Sequence, residues 1–345
     1  MIWFLVDSSS LGGIERHIET LAVALKRRGI PVEVVLYADH GANPWCRQLE
    51  AAGLKHRALA GSPPALLSEM RRSAPALVHT HGYKANIFGR FAARILGTPV
   101  VSTFHAGERG AFPVNLYQAL DEYSSFLGAR LCVSAAIQQT LPYGARLTEN
   151  FIAMAPPPVS TALARHVGFV GRLSNEKGPD FFCELAERCA DIAEFHVWGD
   201  GPMRASLEAR YGRHVLFHGL TTDISQAWRK IGLLAMPSRA EGMPMAALEA
   251  LSQGIPLLAS NVGGLPRLIP HAAQTGWLFE VGDLSAAEAA LREWAALDSK
   301  AQASLRASCV AHIRAHFSEE AHLPTILEAY RDAGFKLKRG LARAA

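Results

Sequence analysis

Short apolar runs alternate with amphipathic helical stretches along almost the whole chain, and this alternation restricts the fold more than any other feature. The runs IWFLV, VEVVLY, ALVHTH, PVVSTFH and ARLCVSA are brief and nearly continuous in their apolar character, as strands buried on both faces must be. Between them lie helical patterns such as IERHIETLAVALKRR, closed by Gly29. A chain that repeats strand and helix in this way builds βαβ units, parallel sheets and a doubly wound α/β fold.

The rhythm breaks around residues 151–165, at APPPVSTALAR, where three successive prolines fit neither a helix nor a central strand and read as a linker. It resumes with HVGFVGR, EFHVWGD, HVLFHGL, GLLAMPS and IPLLASN. The expectation is two doubly wound, Rossmann-like domains facing a cleft, over residues 1–158 and 159–316. A tail over 317–345 is helical from about Phe317 to Arg339 and crosses back onto the first domain. A chain of 345 residues, 49% hydrophobic, is large enough for two cores, and a charged fraction of 19% argues against long disorder. MIWFLVDSSS lacks a basic leader and is cut short by Asp7, so it reads as a first strand and not a signal peptide. No apolar run reaches 18 residues. Cys46, Cys132, Cys183, Cys189 and Cys309 are dispersed without metal-ligand spacing, as reduced core thiols of a cytoplasmic protein would be. A net charge of +4 suits an anionic small ligand or an anionic membrane surface. The basic residues form no long run and no nucleic-acid motif, so no nucleic-acid partner is expected.

In open α/β sheets, ligands bind beyond the carboxyl ends of the strands, and several segments there carry chemistry. SRAEGMPMAALEALSQGIP follows the strand GLLAMPS. Pro244 suits a first helical turn and Gly254 the end, so backbone N–H groups near Gly242, Met243, Met245 and Ala246 form an anion site at a helix mouth kept low by small side chains. Glu241 lies just before this helix and Glu249 about two turns along it, roughly 10 Å away at 1.5 Å per residue. Carboxylates accept paired O–H bonds, as a ribose diol or a hexose hydroxyl offers. In VGFVGRLSNEKGPDFF, Arg172 ends a strand and Lys177 precedes a helix, and two such cations can neutralise a diphosphate. The segment is not a Walker A loop. In DSSSLGGIERH, Gly12 and Gly13 open the first helix, either for close approach of a ligand or for a tight turn with positive φ. In WGDGPMR, Gly199 and Gly201 let a nucleoside lie against the backbone or simply form a turn. His79 and His81 share one strand face, but no third metal ligand with clear spacing accompanies them, and His105 ends the next strand. The segment KANIFGRFAARILG sets Arg90 and Arg94 beside Phe88, Phe91 and Ile95. It reads as a helix packed on its own sheet with basic residues outward, or as one touching a lipid surface.

The E-x7-E spacing, followed by EALSQGIPLLASNVGG, resembles the retaining GT-B glycosyltransferases of the family-4-like group. LGGIERH, HTHGYKAN, VVSTFH, VGRLSNEKG, GDGP and VLFHG follow the same pattern in the same order over nearly the whole chain. The resemblance implies a GT-B fold, with acceptor binding in the first domain and nucleotide-sugar binding in the second. It assigns Arg172 and Lys177 to the donor diphosphate, and makes His105 the active-site histidine that contacts the donor sugar. The Gly12–Gly13 loop would close over donor and acceptor. With Glu249 on the ribose and Glu241 on the hexose, the expected reaction is retaining transfer of a hexose from a UDP or GDP sugar. The acceptor would be a saccharide or lipid-linked saccharide of envelope polysaccharide synthesis. No D-x-D motif occurs, and neither a metal nor any other cofactor is expected. Two departures from the family pattern, Arg267 where an acid is usual and Pro244 where glycine is usual, bear on donor choice. A nucleotide-sugar epimerase and a non-catalytic sugar-nucleotide-binding protein are the competing readings.

Overall fold

A computed structural model describes residues 1–9, 11–105, 113–154, 165–221 and 224–336. Most of the proline-rich segment and the end of the tail lie outside these residues. The chain divides into two compact units, Met1–Ala153 together with the chain from Glu319 on, and Met154–Ser318.

Unit 1 contains the strands β1 (Ile2–Val6), β2 (Val32–Leu36), β3 (Lys55–Ala58), β4 (Leu77–His81), β5 (Val100–Phe104), β6 (Ala129–Cys132) and β7 (Arg146–Leu147). All pair in parallel, in the order β3-β2-β1-β4-β5-β6-β7. The connections are the helices α1 (Gly13–Arg27), α2 (Pro44–Ala51), α3 (Pro63–Ser73), α4 (Tyr83–Leu96), α5 (Val114–Tyr123) and α6 (Ala135–Thr140), with a 3-10 turn at Ser124–Leu127. Every residue of β1, β4 and β5 is buried, as the uninterrupted apolar runs require. β3 and β7 have no such run. They are the two edges of the sheet, and an edge strand such as KHRA, half exposed, carries no two-sided apolar signal.

Unit 2 repeats the design. Its strands are β8 (His166–Val170), β9 (Glu194–Trp198), β10 (Val215–Gly219), β11 (Leu233–Met236), β12 (Leu257–Ser260) and β13 (Gly276–Phe279), ordered β10-β9-β8-β11-β12-β13 and again all parallel. Its helices are α7 (Pro179–Arg188), α8 (Arg204–Tyr211), α9 (Ser225–Trp228), α10 (Met245–Ser252), α11 (Leu265–Leu268), α12 (Leu284–Ala296) and α13 (Ser299–His316). β13, which the sequence pattern did not reveal, is an edge strand as well.

The last helix, α14 (Glu319–Asp332), belongs to unit 1 although it follows unit 2 in the chain. Leu323, Ile326, Leu327 and Tyr330 enter the core formed by β1, β2 and α1. Glu319 pairs with Arg28, Arg146 pairs with Asp332, and the Tyr330 hydroxyl hydrogen-bonds His79 Nδ1 at 2.8 Å.

The KANIFGRFAARILG helix packs on its own sheet, as one reading has it, but the structure corrects the outward placing of Arg90. Arg90 faces the sheet, fully buried, on the same stripe as Ala85, Asn86, Gly89 and Ala93. A side chain at Gly89 would press to 2.5 Å from Thr80, so glycine is what lets α4 approach the sheet. Arg90 donates to the Asp121 carboxylate at 2.6 Å, to the Asp121 carbonyl at 2.7 Å and to Ser102 at 3.1 Å, and Asn86 donates to the other Asp121 oxygen at 3.0 Å. Burial pushes the Asp121 carboxyl up and the Arg90 guanidinium down despite their mutual attraction, so desolvation outweighs the Coulomb gain at both partners. The outward positions include Phe91, 50% exposed, and Ile95, 65% exposed, and Arg94 is exposed as the sequence reading expects. Among the described residues, no helix is long and apolar enough to cross a membrane.

Candidate functional site

The strand order reverses between β1 and β4 in unit 1, and between β8 and β11 in unit 2. At such a switch point the two adjoining connections leave in opposite directions and open a crevice at the strand ends. The residues singled out from sequence lie in or next to the connections at these two places. The loops after β8 and β11 carry Arg172, Lys177 and Glu241, and those after β1 and β4–β5 carry Gly12, Gly13 and His105.

In unit 2, the loop leaving β8 contains a 3-10 turn, Asn175–Lys177, ended by Gly178 at φ 66°. A Cβ at Gly178 would fall 2.1 Å from the carbonyl oxygen of Pro237, so only glycine lets this loop lie against the one leaving β11. Backbone and side chains complete the junction. Arg239 N–H donates to Glu176 O at 2.8 Å, and the Arg239 guanidinium donates to Asn175 O at 2.7 Å and to both Asp180 oxygens, at 2.9 and 2.6 Å. Lys177 Nζ then meets Glu241 Oε1 at 2.7 Å, and Ser238 Oγ donates to the same oxygen at 2.9 Å. Glu241's side chain is only 4% exposed, whereas that of Lys177 is 31% exposed. Two residues assigned to different parts of a ligand are thus joined to each other. Arg172 is exposed, and its guanidinium makes no hydrogen bond among the described residues. Its charge, after a hydrogen bond from Ser174 and with that of Lys177, holds Glu176 below the usual carboxylate range.

α10 begins at Met245, with Pro244 as its cap rather than its first residue, so Glu249 is the fifth of eight residues, just over one turn along. The Pro244 carbonyl accepts from Ala247 and Leu248, while the N–H groups of Met245 and Ala246 make no backbone hydrogen bond. Met243 and Met245 are buried, and Glu249 is half-buried. The glycines sort by cause. A Cβ at Gly199 would lie 1.8 Å from Gly171 O, and one at Gly201 2.5 Å from Leu173 O, so these two serve backbone packing against the loop of Arg172. Gly242 has negative φ and open space around its absent Cβ, so neither strain nor packing explains it, and the room it leaves is at the helix mouth. Gly13 is alike, and neither Gly12 nor Gly13 has positive φ, which removes the strained-turn reading of that pair.

In unit 1, His105 does not stand alone. Its Nε2 shares a hydrogen bond of 2.9 Å with His81 Nδ1, and the His17 ring lies edge-on at 5.0 Å. His17, from the first turns of α1, is the third histidine that sequence spacing did not reveal, and the ligating atoms of His17, His81 and His105 lie within 4.8 Å of one another. Its neighbour in sequence is the Gly12–Gly13 loop, a signal legible only once α1 is placed on the sheet. His17 Nδ1 meets Asn150 Oδ1 at 3.0 Å, and His79 bridges Thr103 at 2.7 Å and Tyr330. Beside His105, a cavity of about 250 Å³ is lined by Gly82, Lys84, Thr103 and Asp121 among others, with Asp7 at its wall. Burial favours the neutral acid at Asp7, but hydrogen bonds from His40 (2.6 Å) and Lys84 (3.0 Å) outweigh it and hold Asp7 ionised. A larger hollow of about 960 Å³ is walled by the strand beginnings at Val100, Ala129 and Arg146, the wrong end of a parallel sheet for such a site.

Two parallel α/β sheets with charged and amide groups at their switch points are the architecture of GT-B proteins. The sequence matches the model of Glycosyltransferase Family 4 over residues 11–163 and that of Glycosyl transferases group 1 over residues 164–296, and the chain belongs to this family. It is 26% identical to the sulfoquinovosyl transferase SQD2 of Arabidopsis thaliana over 64% of this chain and 50% of that one. With a UDP-Gal:alpha-D-GlcNAc-diphosphoundecaprenol alpha-1,3-galactosyltransferase of Escherichia coli it shares 28% identity, over 60% of this chain and 63% of the relative. The chain therefore spans about half to two thirds of the length of these two relatives. Anabaena HepE in complex with UDP superposes with a TM-score of 0.81 at 20% identity, covering 96% of this chain and 99% of that one, and in complex with UDP-glucose with a TM-score of 0.77.

Burial holds His17, His79, His81 and His105 neutral. The pKa of His17 is lowered to about 4, and those of His79, His81 and His105 fall well below the usual 6.5, with neighbouring histidines adding to the effect. On acidification the unfolded chain takes up protons near pH 6.5 while the folded chain does not, so stability is lost as pH falls below that value. Each such group costs up to about 1.4 kcal/mol per pH unit in this window. Thermal unfolding at pH 5 is expected well below that at pH 7.5, and His17→Gln should flatten the dependence. An unchanged slope in that variant contradicts the assignment.

Proposed function

We propose that the chain is a retaining hexosyltransferase that uses a UDP or GDP sugar as donor. The observation that carries this reading is the clustering of Arg172, the Lys177–Glu241 pair and the free N–H groups of α10 at the switch point of unit 2. Arriving diphosphate competes with Glu241 for Lys177. The ammonium turns to the phosphate oxygens with Arg172, the α10 amides complete the cradle, and the freed Glu241 carboxylate accepts hydroxyls of the donor sugar. Glu249 holds the ribose. The complexes of HepE with UDP and UDP-glucose support uridine as the nucleoside.

Transfer breaks the bond from C1 to the diphosphate oxygen and forms one from C1 to the acceptor oxygen on the same face. The acceptor proton passes to the departing phosphate oxygen, so no separate protein base is needed. Lys177, Arg172 and the helix amides oppose the charge that grows on the leaving group. They fill the neutralising role that a divalent ion fills elsewhere. Within unit 1, His105, neutral and oriented by His81, serves as a hydrogen-bonding group, and the cavity beside it takes the acceptor. Lys177→Met is expected to lower kcat/KM for a nucleotide sugar by about 10²–10³. Glu249→Ala should mainly raise KM, and Glu241→Ala should mainly lower kcat. Wild-type kinetics in all three variants would remove the proposal.

The acceptor is proposed to be a saccharide, free or lipid-linked, of the envelope class, and unit 1 to touch an anionic lipid surface through one face. Phe91 and Ile95 of α4, Leu116, Leu120 and Tyr123 of α5, and Phe126 are all exposed, as is Arg94, and α4 packs against both α5 and the turn that holds Phe126. Exposed apolar side chains on neighbouring elements together with an arginine suit the headgroup region of a bilayer. Flotation with phosphatidylglycerol vesicles is expected, with weakening in high salt and loss in Phe91→Asp/Ile95→Asp. Equal flotation of that variant would contradict the contact.

A further inference from the structure

A second concentration of titratable groups occupies the opposite end of the unit 2 sheet, where strands begin. His166 opens β8 and Glu194 opens β9, and the two are in register. His196 follows Glu194 by two residues and so shares its face. The sequence pattern hid this grouping, because its members come from separate strands and lie 28 residues or more apart except for the i, i+2 pair.

The geometry is that of a ligand set. His166 Nε2 lies 3.2 Å and His196 Nε2 3.6 Å from Glu194 Oε2, and the three atoms all fall within 4.8 Å of one another. Around a tetrahedral zinc ion, with bonds of about 2.0–2.2 Å, neighbouring ligand atoms sit about 3.3–3.5 Å apart. Two of the three separations therefore match already. His196 is also held in place as a metal-bound imidazole is. Its Nδ1 shares a 3.0 Å hydrogen bond with His218 Nε2, and its ring stacks on His218 at 5.3 Å and on Trp198 at 5.5 Å. The side chain is only 6% exposed, and its Nε2, aimed at the carboxylate, is buried without a hydrogen-bond partner. A buried polar nitrogen left in this state is costly. Glu194, at 67% exposure, leaves the open side from which an ion enters.

We infer that His166, Glu194 and His196 form a binding site for a divalent transition-metal ion of the zinc class, with water completing its coordination. Imidazole with one carboxylate is a donor set for such ions and not for magnesium or calcium, which prefer all-oxygen sites. The ion ties the start of β8 to the start of β9, at the end of the sheet away from Arg172, Lys177 and Glu241. Its role is to stabilise unit 2, and the inference does not rest on the proposed transfer reaction. Burial first, then His166 and His218, lower the His196 pKa to about 4, so its ring is neutral and available as a ligand at pH 7.

The test is zinc chloride titrated calorimetrically into the chelator-stripped full chain, with the visible absorption of cobalt(II) as an independent report of nitrogen and oxygen coordination. Glu194→Gln and His166→Gln are partly exposed positions, so both variants are expected to fold. The wild type should bind zinc at micromolar concentration and melt higher with zinc than without. Both variants should bind at least tenfold more weakly and lose the thermal shift. Zinc affinity unchanged in both variants, or no binding to the wild type, overturns the site.

Discussion

The contact between Lys177 and Glu241 is where the structure of unit 2 and the chemistry proposed for it coincide. At 2.7 Å it joins the loop leaving β8 to the loop leaving β11 across the point where the sheet reverses its winding. The contact depends on local backbone geometry. Gly178 must be glycine to clear Pro237, and Arg239 must hold the 3-10 turn and Asp180 together. Gly263 must be glycine too, since its Cβ would sit 1.8 Å from Glu241 O. A cation held by a nearly buried carboxylate in such a frame loses little further freedom when a phosphate replaces the carboxylate. A preorganised site of this kind acts on the developing charge without first having to rearrange.

Unit 1 follows another logic. Its polar centre is a set of neutral imidazoles packed against Phe4, Phe151 and Tyr330, with hydrogen bonds used to orient rings rather than to carry charge. The buried ion pair of Arg90 with Asp121 is dominated by desolvation at both partners and is hydrogen-bonded by Ser102 and Asn86. Such a pair is poor evidence for stability, but it fixes how α4 seats on the sheet. That seating turns Phe91 and Ile95 outward.

The central strands and the loops at their carboxyl ends were legible in the sequence, because strands buried on both faces must be continuously apolar and βα loops announce themselves with glycine and proline; the strand order, and with it the switch points, was not. β3 and β7 were not, since these edge strands carry polar or mixed residues, and β13 was not, since GWLF is only four residues long and opens on glycine. Among the candidate site residues, Arg172, Lys177 and Glu241 were singled out from motif spacing within one unit. Their mutual pairing was invisible, because 64 residues separate Lys177 from Glu241. His17 escaped for the same reason: only the packing of α1 on β4 and β5 brings it to His81 and His105. Arg90 was misread because helical charge usually means solvent, and the partner that allowed burial, Asp121, lies 31 residues away. Gly199 and Gly201 were read as room for a nucleoside or as a turn, but what lies close against them is the chain's own backbone.

The most direct test is a crystal structure of the chain soaked with a UDP sugar. The account places the diphosphate against Arg172, Lys177 and the N–H groups of Met245 and Ala246, with Lys177 drawn off Glu241. A nucleotide lodged elsewhere, with the Lys177–Glu241 pair intact, would contradict it.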